Sequence, residues 1–110
     1  MSEEKQKLLR PTEVKNRRLK MSPGGIITLP VAARKSLRMN KGLGARVTVA
    51  IDGGTVSLVL TGSNGGFRVS PHGQLELRGD ARALLDSGSS RHYWIELRDD
   101  EGQVKLHPWR

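Results

Sequence analysis

The sequence contains no cysteine, which removes disulfide staples and thiolate metal sites and suits a reducing cytoplasm. Its four aromatic residues, Phe67, Tyr93, Trp94 and Trp109, are too few for a platform on which successive bases stack. They are expected in core and edge packing. No run of about 18 apolar residues occurs. The first residues place Glu3 and Glu4 where a secretion signal carries a basic start and an apolar run, so a soluble, cytoplasmic protein with no membrane partner is expected. His72, His92 and His107 are too dispersed for metal-ligand spacing, and no serine has an evident histidine and carboxylate partner. The turn Ser22-Pro23-Gly24-Gly25 lacks the Lys-Ser/Thr of a phosphate-binding loop. Neither enzyme activity nor a metal or cofactor is expected.

What the chain has is positive charge, and it is unevenly spread. The formal net charge is +8 over 110 residues. Through Gly66, 12 basic residues face Glu3, Glu4, Glu13 and Asp52, whereas from Phe67 onward seven basic and seven acidic residues cancel. The first part therefore carries the whole excess, as a polyanion-binding surface requires.

The sequence also repeats itself. A shift of 48 residues superposes Ser22-Pro23-Gly24-Gly25 on Ser70-Pro71-His72-Gly73, and the same ungapped offset runs to Leu58 and Leu106. Eleven of 37 positions are identical, including Arg34/Arg82 and Leu37/Leu85, where about two or three are expected by chance. The apolar class persists at Leu19/Phe67, Met21/Val69, Ile27/Leu75, Val47/Ile95 and Val49/Leu97, which marks these as core. Ile26/Gln74, Thr28/Glu76 and Thr48/Glu96 change class, as the outward positions of period-two strands do.

Within the first copy, Arg18 to Met21 and Ile26 to Leu29 are strands around a turn, and Pro30 suits the start of a helix over Val31 to Met39. Ala33 and Leu37 share its buried side, and Arg34 and Arg38, four apart, share another face. Arg46 to Ile51 alternates with Val47, Val49 and Ile51 inward, and Asp52-Gly53-Gly54 turns into the strand Thr55 to Leu60. The second copy gives Arg68 to Ser70, Gln74 to Leu77, a helix near Asp80 to Asp86, Tyr93 to Leu97 and Gln103 to His107. The expected fold is mainly β with short helices: a flexible basic arm over 1–16, a first ββαββ unit over 17–60, a Gly-rich linker over 61–66 and a second, charge-neutral unit over 67–110. A unit of about 40 residues is too small to fold alone, so the two are expected to close together as one pseudo-symmetric barrel.

The stretch Gly25-Ile26-Ile27-Thr28-Leu29-Pro30, followed by Ala33-Arg34-Lys35-Ser36-Leu37, Gly42 and the strands Val47 to Ile51 and Thr55 to Leu60, resembles an AbrB/MazE/SpoVT domain. The resemblance covers about residues 18–60, and residues 67–107 through the repeat. It implies a swapped-hairpin barrel and a prokaryotic, nucleoid-associated DNA-binding transcription regulator. It also implies binding of double-stranded DNA through Arg17, Arg18, Lys20, Arg34 and Lys35. Arg38, Lys41 and Arg46 extend that basic face, and Arg68, Arg78, Arg82 and Arg91 are weaker candidates in the second unit. Two departures from the family pattern stand out. Ile26 and Gln74 occupy the place of the family's arginine after the turn glycine, and Arg78 replaces the strand-end proline, so the second helix is expected to start differently. An antitoxin-type module, gripping a protein through Asp99-Asp100-Glu101 and exposed Tyr93 or Trp94, and a nonspecific nucleoid protein are the alternatives. The chain can close as a monomeric pseudo-dimer or exchange strands in a homodimer.

Overall fold

A computed structural model of the chain describes residues 12–13, 18–62 and 65–110. Among the described residues nine strands form a single sheet: β1 (Thr12–Glu13), β2 (Leu19–Lys20), β3 (Ile26–Thr28), β4 (Ala45–Asp52), β5 (Thr55–Thr61), β6 (Phe67–Val69), β7 (Gln74–Glu76), β8 (His92–Arg98) and β9 (Gln103–Pro108). Among the described residues two short α-helices, α1 (Val31–Ser36) and α2 (Gly79–Asp86), interrupt them. The strands neighbour one another in the order β1-β8-β9-β5-β4-β6-β7-β3, with β2 also on β8. The Ser22 N–H donates to the Ile26 carbonyl at 2.9 Å, which ties β2 to β3 and leaves the sheet a nearly closed barrel. Of the stretch 1–16 read as an arm, Thr12 and Glu13 pair with Leu97 and Glu96; the remainder lies outside the described residues.

The sheet joins segments distant in sequence. β3 pairs with β7, β5 with β9, β2 with β8 and β4 with β6, all antiparallel. One apolar core fills the interior, drawn from both sides of the 61–66 stretch: Met21, Ile27, Leu29 and Leu37 pack with Val69, Leu75, Leu77 and Leu85. Tyr93, Leu58, Ile95 and Leu106 are its largest inserts from the hairpin strands. Neither segment has a core of its own, as the size argument requires.

The two hairpins differ in a way that the ungapped offset hides. β4 and β5 meet at Asp52 and Thr55 around Gly53 and Gly54, both at positive φ. β8 and β9 meet at Arg98 and Gln103, around the four residues Asp99 to Gly102. Val49 consequently faces Leu58, while Ile95 faces Leu106. Leu58 and Leu106 are 48 apart, so the counterpart of Val49 is Ile95, 46 residues on, and not Leu97. A longer turn after β8 and a shorter connection before it offset each other, so the shift is confined to this strand. Its consequence for the surface is that Arg46 corresponds to His92.

Other local expectations are corrected too. α1 ends at Ser36, not Met39, because Arg38 adopts φ +66 in the left-handed region, which breaks the helical run without a glycine. Ala33 and Leu37 are buried as expected. Pro30 and Arg78 both serve as N-caps with extended backbone. The two helices therefore begin alike despite the lost proline. Asp80 in the first turn of α2 complements the helix dipole there. Ile51, expected inward, is 47 % exposed, since it sits beside the hairpin tip where the barrel opens. The 61–66 stretch is less free than its composition suggests. Thr61 closes β5, and a Cβ on Gly66, at φ +80, would lie 2.4 Å from the Val47 carbonyl oxygen. Ser63 and Asn64 lie outside the described residues.

Candidate nucleic-acid interface

Two arginines expected on a binding face are instead part of the framework. Arg34 donates from Nε to the Leu29 carbonyl at 3.1 Å and from Nη1 to the Pro71 carbonyl at 3.2 Å. Arg82, 48 residues on, donates from Nη2 to the Pro23 carbonyl at 2.7 Å. Each guanidinium thus holds the turn of the opposite segment. The backbone repeats the exchange, since the Leu29 N–H donates to Gly73 and the Leu77 N–H to Gly25, both at 2.8 Å. The turn glycines permit this approach: a Cβ on Gly73 would lie 2.4 Å from the Leu29 carbonyl oxygen and 3.0 Å from Arg34 Nε. The identities Pro23/Pro71, Gly25/Gly73 and Arg34/Arg82 are therefore one reciprocal junction.

Arg38 is likewise committed. From its left-handed backbone it reaches the Asp99 and Asp100 carbonyls at 3.2 and 3.3 Å, and the Ser36 hydroxyl donates to the Asp99 carboxylate. The expectation that Arg34 and Arg38 present like charges on one helix face does not hold, because the helix ends between them and their side chains are spent on different turns. Arg91 donates from Nε to the Met21 carbonyl at 3.1 Å. Arg18 lies with its guanidinium 5.6 Å from the centre of the Trp109 ring. Arg17 and the arm cations Lys5, Lys7, Arg10 and Lys15 fall outside the described residues.

The remaining candidates gather around the start of β4. Arg46 lies opposite Arg68 across the β4–β6 pairing. Together with Gly44, Ala45 and Thr61 they line an open groove of about 340 Å³. Arg68 also lines a neighbouring groove of about 460 Å³ with Gly66, Phe67, Glu76 and Arg78. On the other side, Gly44 sits so close to the Pro71 turn that a Cβ would be 3.5 Å from Pro71 Cδ. Pro71 borders a third hollow, of about 360 Å³, with Arg34, Lys35 and Lys41. Among the described residues six cations and one carboxylate line this run of grooves, and that carboxylate, Glu76, pairs with Arg78 at 3.5 Å. Arg46 makes one long hydrogen bond, to the Gly66 carbonyl at 3.4 Å. Lys20 is exposed and faces His92 across β2 and β8, the counterpart of the Arg68–Arg46 pair.

The outward surface of β8 and β9 is electrostatically closed. Glu96 accepts from Arg98 at 3.0 Å and contacts His107 Nε2 at 2.7 Å, and His107 stacks on Trp94 with ring centres 4.0 Å apart. Arg98 also pairs with Glu101 at 3.1 Å, and Lys105 with Asp52 at 3.1 Å. Burial alone would lower the Arg98 pKa, but hydrogen bonds and attraction from Glu101 and Glu96 outweigh it and raise it. The alternative of a protein grip through exposed Tyr93 is corrected by its burial to 1 % exposure. The carboxylates of Asp99 and Glu101 are engaged within the chain, and Asp100 through its backbone carbonyl. Sequence reasoning missed this network, in which His107 meets Glu96 and Trp94 through the β8–β9 register. Among the described residues no helix is long and apolar enough to cross a membrane.

No protein-family model, curated protein or solved structure matches the chain.

Proposed function

We propose that the chain is a DNA-binding transcription regulator of AbrB type, in which two tandem ββαββ units close as one pseudo-symmetric swapped-hairpin barrel. The duplex lies along the grooves around Arg46 and Arg68. The strand exchange supports the fold reading, since β2 pairs with β8 and β6 with β4. The observation that carries the functional reading is the Arg46–Arg68 cross-strand pair. Like charges placed opposite each other on a sheet are destabilising in an isolated protein, and a phosphate between them converts the repulsion into two charge-assisted contacts. Lys35, Lys41 and Arg78 along the adjoining grooves extend the track of phosphate contacts on either side.

This reading spreads binding over both segments, with Lys20 and His92 as a weaker counterpart. Fluorescence anisotropy of labelled duplexes across a salt series tests it. Engagement of about five phosphates gives a slope of log affinity against log salt of about −4 to −5. Binding indifferent to salt, or no binding to any duplex, overturns it. Equal affinity for unrelated duplexes would assign the nonspecific nucleoid role instead.

A further inference from the structure

The hollow beside α1 has a character that phosphate binding does not explain. Val31, Met39, Leu43 and Pro71 form apolar walls, and Lys35 and Lys41 stand at its rim. Val31 and Leu43 are 57 % and 58 % exposed, an unfavourable placement for two branched aliphatic side chains that are 12 residues apart in sequence and meet at one opening. Arg34 is fixed in the wall by its bonds to Leu29 and Pro71, so the hollow is pre-formed. Among the described residues no carboxylate lines it.

The fold does not require this hollow. The second segment keeps the arginine and proline as Arg82 and Pro23, yet has Gly79, Ala83 and Ser87 where the first has Val31, Lys35 and Met39. It builds an equivalent helix without the apolar walls or the rim lysine. The apolar and cationic residues are additions to a shared frame, and together they match a ligand with an apolar body and one negative charge.

We infer that the hollow between α1, the Lys41–Leu43 loop and the Pro71 turn is a binding site for a small amphiphilic carboxylate, an aliphatic or aromatic acid. A volume of about 360 Å³ lies in the range of small-ligand pockets. The chain packs against Val31, Met39 and Leu43, and the carboxylate reaches Lys35 and Lys41 at the rim, where it remains partly hydrated. A bare phosphate has no group to place on the apolar walls.

Titration of the full ¹⁵N-labelled chain with octanoate, in the absence of DNA, tests the site independently of the DNA-binding reading. Saturable amide shifts are expected at Val31, Lys35, Met39 and Leu43, with octanamide binding about tenfold more weakly, equivalent to about 1.4 kcal/mol, and inorganic phosphate leaving the wall residues Val31, Met39 and Leu43 unshifted. The double substitution Lys35→Gln and Lys41→Gln should weaken octanoate about tenfold at an unchanged unfolding midpoint, and Leu43→Ser should weaken octanoate and octanamide together. Equal binding of octanoate and octanamide, shifts at Val31, Met39 and Leu43 reproduced by phosphate alone, or shifts scattered away from the hollow would each overturn the proposal.

Discussion

Arg46 and Arg68 stand directly opposite each other on antiparallel β4 and β6, one from each side of the 61–66 stretch, and share a groove with no acidic lining residue among the described residues. In the free protein this pair opposes folding through repulsion that salt screens. Arg68→Gln is therefore expected to raise the urea midpoint at low ionic strength, with the gain shrinking by about 0.5 M salt. Urea unfolding at two salt concentrations reads this directly. An unchanged or lowered midpoint at low salt would mean that the pair is already neutralised within the protein.

The reciprocal arginines behave in the opposite sense. Arg34→Ala and Arg82→Ala each remove charge-assisted bonds to a turn carbonyl of the other segment. Each should cost about 1–3 kcal/mol in equilibrium unfolding. Arg34→Lys should recover only part of the loss, because one ammonium cannot span Leu29 and Pro71 with a planar fork. Equal stability of Arg34→Ala and the native chain would contradict the junction.

Glycine substitutions separate close approach from backbone conformation alone. Gly73 combines φ +91 with the Leu29 carbonyl oxygen 2.4 Å from an added Cβ, whereas Gly53 at φ +64 has nothing within 4 Å. Gly73→Ala is expected to cost more than about 2 kcal/mol, and Gly53→Ala about 1–2 kcal/mol from its left-handed backbone. Thermal or urea unfolding of the two variants checks the order. The reverse order would contradict the packing of the turn against Leu29.

Much of the junction was legible in the sequence, though its meaning was not. Arg34/Arg82 is the one charged pair of the repeat kept in both helices while neighbouring charges diverged: Lys35 faces Ala83, and Arg38 faces Asp86. A cation retained in both copies signals a contact that both copies make, and the structure supplies it in the turn carbonyls. The core positions at Ile27, Leu29 and Leu37 and their counterparts followed from periodicity, because strand and helix periods project directly onto burial. The register of β8 did not, since two residues gained in one turn and lost in one connection leave the total length unchanged. The Arg46–Arg68 pairing was no more legible, since it depends on the β4–β6 register, which the repeat does not carry. The slip in β8 concealed the Trp94, Glu96 and His107 cluster, which depends on cross-strand pairing. Charge totals located the excess in the first segment but could not show that Arg34 and Arg38 are spent on carbonyls.

The most direct test of the central claim is duplex-DNA affinity of the double variant Arg46→Gln and Arg68→Gln against Lys105→Gln and Arg110→Gln, which removes the same charge elsewhere on the molecule. Anisotropy across a salt series should show the first variant weakened at least about tenfold, with its salt slope shallower by about 2, since each lost phosphate contact contributes about 0.9. The second should stay close to the native chain. Equal losses in both would show that net charge alone governs binding, and would contradict an interface centred on Arg46 and Arg68.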